Sequence, residues 1–190
     1  MDENLVKIRH ERSKKDFPGL KLDEDEYVEF FFKRAKVRLK LIWGSVFVGL
    51  VLVLLGFLLV LSQQTMIDGM GLNFLFIILL ALLAAAVIIW LLALKLHNGN
   101  KLYITNKHVT QMVMDSPVST SINIIDLESV EDASFRQTNI IQKMFHYGTF
   151  RLSTVGEETT YTFPYSDISP QELTAVTELI TNAKKDDSKK

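Results

Sequence analysis

Two long uncharged apolar runs constrain this chain of 190 residues more than any other feature of its sequence. They are LIWGSVFVGLVLVLLGFLLVL (41–61) and LNFLFIILLALLAAAVIIWLLAL (72–94). As helices with a rise of about 1.5 Å per residue they would measure about 31 and 34 Å, close to the hydrocarbon thickness of a bilayer. Neither run has the polar face of a surface helix, and the rest of the chain is too short to bury both in a soluble protein. The sequence therefore predicts a transmembrane hairpin.

The charged residues that flank these runs predict the topology of the hairpin. The loop between the runs, Ser62–Gly71, contains no Lys or Arg, and its only charged residue is Asp68. Cytoplasmic segments of membrane proteins are enriched in basic residues, so both termini are expected in the cytoplasm and the loop outside. The expected membrane-surface residues, including two tryptophans near the cytoplasmic ends of the runs, are Lys33, Arg34, Lys36, Arg38, Lys40, Trp43, Trp90 and Lys95.

The composition divides the chain into four segments. Residues 1–22 carry mixed charge and a Pro-Gly break, and they are predicted to be a cytoplasmic arm. Its basic stretch 7–15 could contact anionic headgroups, but the solvated-tail interpretation is favoured because acidic residues dilute the charge. Residues 23–96 are predicted to form a juxtamembrane helix that begins with Asp23–Glu26 and continues into the hairpin. Residues 101–184 have the size of one small domain, and residues 185–190 form a charged tail.

Small residues recur along both apolar runs at spacings that let helices approach closely. The expected helix-packing positions are Ser45, Gly49 and Gly56 on the first run, and Ala81, Ala85 and Ala93 on the second. Packing of the two helices against each other is favoured by the short loop, and self-association of hairpins is the alternative. No ionisable residue lies inside either run, which argues against transport by a single hairpin.

The last segment has the period of two that is typical of β-strands. Six strands are predicted, including a hairpin that turns at Asn106–Lys107 and a pair that turns at 156–158. The stretch 139–148 is ambiguous and could contain a helical turn. A capping box with Ser169, Pro170 and Glu172 then begins a helix with one apolar face that ends near Lys184.

The sequence contains no pattern that predicts catalysis or metal binding. It has no cysteine, and its four histidines, His10, His97, His108 and His146, are dispersed and belong to no catalytic or metal-ligand motif. His108 is interpreted as a surface or turn residue. We expect no enzyme activity, no cofactor and no metal. Nucleic-acid binding is not expected either, because no dense basic face with interleaved aromatic residues is present.

The order of these motifs resembles the bacterial pleckstrin-homology-like membrane proteins of the YdbS-like group, over about residues 17–183. The family's T-(N/D)-x-(R/H) step matches Thr105, Asn106, Lys107 and His108, its I-x-x-(I/L)-x-x-V segment matches Ile124, Leu127 and Val130, and its strand-opening glycine matches Gly148. The resemblance implies an α+β membrane protein with a two-helix transmembrane hairpin. The hairpin is followed by a β-sandwich or partly open barrel of about seven strands, capped by a C-terminal helix.

The resemblance also implies a location and a function class. It implies a multi-pass protein of the bacterial cytoplasmic membrane, in a family in which some relatives are linked to membrane stress, and it implies no reaction. We therefore expect a self-assembling scaffold or protein-interaction module at the cytoplasmic membrane face, in contact with membrane lipids and a protein partner or further copies. The alternative is a domain that senses anionic lipid. Phosphoinositide-binding relatives use a basic pocket beside the loop between their first two strands, which is interpreted here as the turn at Asn106–Lys107.

Overall fold

The chain folds into two compact units, which a computed structural model describes over residues 3–62, 71–154 and 160–187. One unit consists of residues 1–35 and 98–190, and the other of residues 36–97. We call the first the β-domain and the second the hairpin unit. The predicted loop and the turn at 156–158 lie largely outside the described residues, as do residues 188–190 of the predicted tail.

The β-domain contains two antiparallel sheets and three helices. The first sheet has the order β1 (Val28–Lys33), β2 (Lys101–Thr105), β3 (His108–Ser116) and β4 (Ser119–Asp126). A 3-10 turn at Leu127–Ser129 leads into the second sheet, with the order β5 (Val130–Arg136), β6 (Gly148–Thr154) and β7 (Thr160–Ser166). The helices of the β-domain are α1 (Glu3–Asp16), α4 (Ile140–Met144) and α5 (Pro170–Asp187). Four strands, three strands and a C-terminal helix are consistent with a pleckstrin-homology-like fold.

The structure has strand β1 where the sequence predicted a juxtamembrane helix, so that prediction is wrong. Together with the six predicted strands, β1 gives the β-domain seven strands. It pairs with β2 in antiparallel register, from Val28 opposite Thr105 to Lys33 opposite Lys101. Its aromatic residues alternate: Phe30 and Phe32 face the core, whereas Phe31 stacks on Tyr103 with ring centroids 4.9 Å apart. The sequence suggested a helix because Val28, Phe31 or Phe32, and Ala35 recur at spacings of three to four. The pairing with β2 shows that this segment is a strand and not a helix.

The segment predicted to be a solvated arm contains helix α1, which contacts β1. Its residue Ser13 is buried, and the Ser13 hydroxyl accepts a hydrogen bond of 3.0 Å from the Val28 amide at the start of β1. The ring of Phe17, directly after the helix, packs against Phe31 at 4.9 Å. Residues 3–17 are therefore part of the β-domain, because their contacts lie with a strand that the sequence interpretation had not recognised.

The core of the β-domain lies between the two sheets and α5. Phe150 and Phe163 from the second sheet are fully buried, together with Val109 from the first and Val176 from α5. The predicted capping box at the start of α5 is confirmed. The Ser169 hydroxyl accepts a bond from the Glu172 amide, and the Glu172 carboxylate accepts one from the Ser169 amide. The helix extends to Asp187, beyond the predicted end near Lys184, so the tail is shorter than expected.

The hairpin unit consists of α2 (Val37–Ser62) and α3 (Leu72–Gly99). Both helices are long and apolar enough to cross a membrane. Aromatic pairs connect them, Trp43 with Trp90 at 6.2 Å and Phe57 with Phe76 at 5.7 Å between ring centroids.

The predicted small-residue stripe does not form the seam between the two helices. Ser45, Gly49, Gly56, Ala81 and Ala85 lie on exposed faces, and Ala93 is half-buried. A Cβ added at Gly49 or Gly56 would meet no atom within 4 Å, so the expected close approach of the two helices does not occur at these glycines. Self-association of hairpins through the stripe stays a prediction.

Candidate functional site

The turn between β2 and β3 is connected to the chain before β1 by a hydrogen-bond network. The Thr105 hydroxyl is buried, donates to the Glu26 carboxylate at 2.6 Å and accepts from the His108 amide at 2.7 Å. The Asn106 side chain accepts from the Tyr27 amide at 3.0 Å and donates to the Asp25 carbonyl at 3.1 Å. The T-N-x-H step thus holds the segment that enters β1 in place.

Glu26 is the buried charge at the centre of this network. Its side chain is almost fully buried, and its carboxylate accepts hydrogen bonds from Thr105, from the Asp23 amide at 2.8 Å and from His108 Nδ1 at 3.0 Å. Burial raises the pKa of Glu26, but these hydrogen bonds and the attraction to His108 outweigh burial and hold the pKa below its ordinary value. The carboxylate is therefore kept ionised inside the protein.

His108 lies between two carboxylates and is half-buried. Its Nδ1 faces Glu26 at 3.0 Å, and its Nε2 lies 3.4 Å from a carboxylate oxygen of Asp126. A neutral imidazole has one N–H and can donate to one carboxylate only, whereas the protonated ring donates to both. His108 directly follows the turn, as the sequence suggested, but it has a partner that the sequence did not reveal, because Glu26 is 82 residues away in sequence.

The same cluster has the donor types of a metal site. Asp23, Glu26 and His108 each offer a ligand atom, and these atoms lie within 4.8 Å of one another. However, both oxygens of the Glu26 carboxylate already accept hydrogen bonds from protein donors. These bonds compensate the buried charge without an ion, so we interpret the cluster as a structural network.

A polar cleft of about 430 Å³ opens beside this network. Its walls include Lys107, His108, Asp126 and Glu128, and thus carry both signs of charge. The Lys107 ammonium donates to the Glu24 carbonyl at 2.7 Å, and is thereby held by the chain before β1. Phosphate binding needs several converging cations, and the cleft walls offer Lys107 and His108 against three carboxylates, those of Asp23, Asp126 and Glu128. The cleft is therefore poorly suited to anions.

Strand β4 presents an edge that is uncharged before Asp126 and carries two exposed aliphatic side chains. It is the outer strand of the first sheet, and it pairs on one side with β3. Ile122 and Ile124 are 56% and 66% exposed, although they are large aliphatic residues. No charged residue and no proline lies in β4 before Asp126. Natural proteins usually protect such edges with charges or prolines, so this one is available for pairing with another strand.

The family-motif residues after the turn have different positions. Leu127 and Val130 are buried in the core, whereas Ile124 points outward and its neighbour Ile125 is the buried residue. Gly148 opens β6, where an added Cβ would lie 2.6 Å from the backbone oxygen of Arg136. Only glycine fits at this position. The predicted strand-opening role of Gly148 thus has a steric reason.

The predicted membrane-surface residues belong to both units. Lys33 lies in β1, whereas Arg34 forms an isolated bridge with Ser166 of the second sheet. Lys36 lies between β1 and α2, and the others lie within the helices of the hairpin unit, namely Arg38, Lys40, Trp43, Trp90 and Lys95. Their role in topology stays a prediction.

No protein-family model and no curated protein matches the sequence. Among solved structures, the chain is similar to a DUF1696 family protein with a pleckstrin-homology domain from Shewanella loihica PV-4. The similarity covers 45% of this chain and 70% of that chain, with 9% sequence identity and a TM-score of 0.33. A similarity of this size says nothing about function. The assignment to the YdbS-like group stays a prediction.

Proposed function

We propose that the protein is a non-catalytic, membrane-anchored interaction module that self-assembles by pairing β4 with β4 of a second copy. The observation that carries the proposal is the uncharged edge of β4 with exposed Ile122 and Ile124. Strand addition at a sheet edge supplies affinity through backbone hydrogen bonds and specificity through alternate side chains. Because β4 carries no charge before Asp126, two copies of the segment 119–125 can pair about a twofold axis without repulsion between like charges.

Membrane anchoring is the second component of the proposal. Its support is that α2 and α3 are each long and apolar enough to cross a bilayer. The pairing of β1 with β2 adds a topological argument, because the chain segments on both sides of the hairpin belong to one sheet. A sheet cannot form across a bilayer, so both flanks have to lie on the same side. An even number of crossings follows, as the charge distribution also predicts.

Cysteine crosslinking tests the pairing directly, since the natural chain contains no cysteine. The full chain with Ser121→Cys or Asn123→Cys, near the middle of β4, is oxidised in mild detergent and in vesicles. We expect disulfide-linked dimers from at least one of these variants. Ile8→Cys on α1 is the matched control, because Ile8 is also exposed but lies outside the sheets.

A double substitution supplies the complementary measurement. Ile122→Lys with Ile124→Lys places two like charges on each copy of the edge and is expected to shift the mass in mild detergent to that of a monomer. Ile8→Lys, the control, is expected to leave the assembly intact. Equal crosslinking at positions 8, 121 and 123, or a natural chain that is already monomeric, would contradict pairing through β4.

Anionic-lipid sensing is a second candidate function, and one observation favours it. Phosphoinositide-binding relatives bind lipid beside the connection between their first two strands. In this chain the first two strands are β1 and β2, so that connection is the hairpin unit with its flanks, and not the turn at Asn106–Lys107. At these flanks Lys33 lies directly opposite Lys101, an arrangement of like charges that an anion would stabilise. Anionic lipid should raise the thermal midpoint of the natural chain in nanodiscs more than that of Lys33→Gln with Lys101→Gln. An equal rise in both would exclude this candidate.

A further inference from the structure

The strand register defines one end of the β-domain at which the chain leaves for the hairpin unit and returns. Strand β1 ends there with Lys33, opposite Lys101 at the start of β2. The second sheet reaches the same end, because Arg34 forms a bridge with Ser166 and Ser166 pairs with Gly148. We call this the tethered end. The turn between β2 and β3, with Glu26 and His108, lies at the opposite end of the first sheet.

Helix α4 lies at the tethered end, because it connects Arg136 with Gly148 across paired strands. Its three apolar residues are exposed together with Lys143, whereas Gln142 is half-buried. Ile140, Ile141 and Met144 are exposed, with Ile140 at 85%. Two glutamines, one in the helix and one before it, make internal hydrogen bonds. The Gln142 side chain accepts from the Thr138 amide, and the Gln137 side chain donates to the Tyr147 carbonyl at 3.2 Å. These bonds fix the apolar side chains outward.

A second segment with an exposed apolar residue lies at the same end, namely the turn between β3 and β4. Met114 of β3 lies beside the point of re-entry, since its amide donates to the Asn100 side chain at 3.2 Å. The chain then turns, and Val118 in this turn is 97% exposed. Two separate connections of the β-domain thus present aliphatic side chains where the chain enters and leaves the hairpin unit.

We propose that α4 and the turn at Val118 insert their aliphatic side chains into the headgroup region of the bilayer that anchors the hairpin. This inference rests on the proposed membrane anchoring. Charge favours lipid as the contacting surface: the connection 137–147 contains Lys143 and no acidic residue, so it suits anionic headgroups, although Asp115 and Asp167 lie near this end. Amphipathic segments bury their apolar face about 5–10 Å into this region.

The length of the chain keeps this end within reach of the bilayer. The uncharged run of α3 ends at Leu94 and the helix at Gly99, which adds about 7 Å at 1.5 Å per residue. The headgroup layer on each side of a bilayer is about 5–8 Å thick. Asn100 alone then separates α3 from β2. The connection is therefore short enough for the tethered end to reach the headgroups.

Fluorescence quenching in vesicles tests the insertion. The full chain carries a single cysteine at Ile140, Met144 or Val118, labelled with the environment-sensitive dye NBD and reconstituted into phosphatidylcholine–phosphatidylglycerol vesicles with or without doxyl-labelled lipid. We expect blue-shifted emission and loss of most of it with doxyl lipid. Ile8→Cys is the matched control, because Ile8 is 62% exposed and α1 contacts Val28 away from the tethered end. Its emission should be quenched by aqueous iodide and not by doxyl lipid.

A label at Leu52 in α2 separates the two proposals. Quenching of Leu52→Cys by doxyl lipid, without quenching at 140, 144 and 118, would overturn the inference and leave the hairpin in the membrane. Absence of lipid quenching at all positions, including 52, would overturn the membrane anchoring itself. Protection of 140 and 144 from iodide without lipid quenching would indicate contact with protein, and would also overturn the inference.

Discussion

Removing the Thr105 hydroxyl should open the network that holds β1 to β2. Valine has the shape of threonine, so Thr105→Val keeps the packing and removes the polar contacts alone. The Glu26 carboxylate loses its shortest hydrogen bond, of 2.6 Å, and the His108 amide loses an acceptor at 2.7 Å. A hydrogen bond to a charged group contributes about 1.5–3 kcal/mol, and a buried group left unpaired costs about 1–3 kcal/mol. We expect a loss of about 2–3 kcal/mol, which lies within both of these ranges.

Hydrogen exchange measured by mass spectrometry in detergent reports this loss locally. A change of 1.4 kcal/mol is a factor of ten, so peptides that cover 27–33 and 101–109 should exchange about 30- to 150-fold faster. Thr162→Val is the matched control, because the Thr162 side chain is exposed on β7 of the second sheet. A change of less than about threefold at both peptides, the level typical of exposed substitutions, would refute the reasoning.

The dependence on pH supplies a second check with a definite sign. The folded-state pKa of Glu26 is held below its ordinary value of 4.5, so its stabilising contribution is complete above that pH. It is lost as the pH falls through the folded-state pKa. The difference in thermal midpoint between the natural chain and Glu26→Gln should therefore be largest near neutral pH and shrink below about pH 4.5. A difference that grows on acidification would contradict this account.

Two further substitutions test packing and capping. Gly148→Ala should destabilise the β-domain by about 1–3 kcal/mol, because the new Cβ meets the rigid Arg136 carbonyl at 2.6 Å. Gly19→Ala is its control, since a Cβ at Gly19 meets no atom within 4 Å, and equal thermal midpoints for the two would contradict the steric argument. Ser169→Ala should cost about 1 kcal/mol in thermal or urea unfolding, through loss of the α5 capping box. No measurable cost would mean that the amide of Glu172 finds water instead.

The features that the sequence predicted correctly are those with a local signal. The two apolar runs form α2 and α3, and their length and composition can be read from the sequence without knowledge of distant contacts. The six predicted strands after residue 100 appear as β2 to β7, and the ambiguous stretch forms α4. The capping box was recognisable because its residues are three positions apart and satisfy each other.

The features that were missed depend on partners far away in sequence. Strand β1 is separated from β2 by the whole hairpin unit, and its residues Val28 and Phe31 or Phe32 also fit a helical spacing that continues to Ala35. Without β1, the acidic run before it resembled a helix start, and Glu26 could not be connected with His108. The available signal was the run of three phenylalanines, because aromatic residues favour strands. The exposed edge of β4 was equally hidden, because only the strand order shows that β4 is an outer strand.

The proposed membrane hairpin interrupts one β-domain between its first two strands. Single cysteines at Glu3, Asp68 and Lys185, labelled with an impermeant maleimide in intact bacterial cells, test it most directly. The account predicts labelling at position 68 in intact cells, and labelling at positions 3 and 185 only after lysis. Labelling at 3 and 185 on opposite sides would contradict a sheet built from both flanks, and labelling of both in intact cells would contradict their cytoplasmic location.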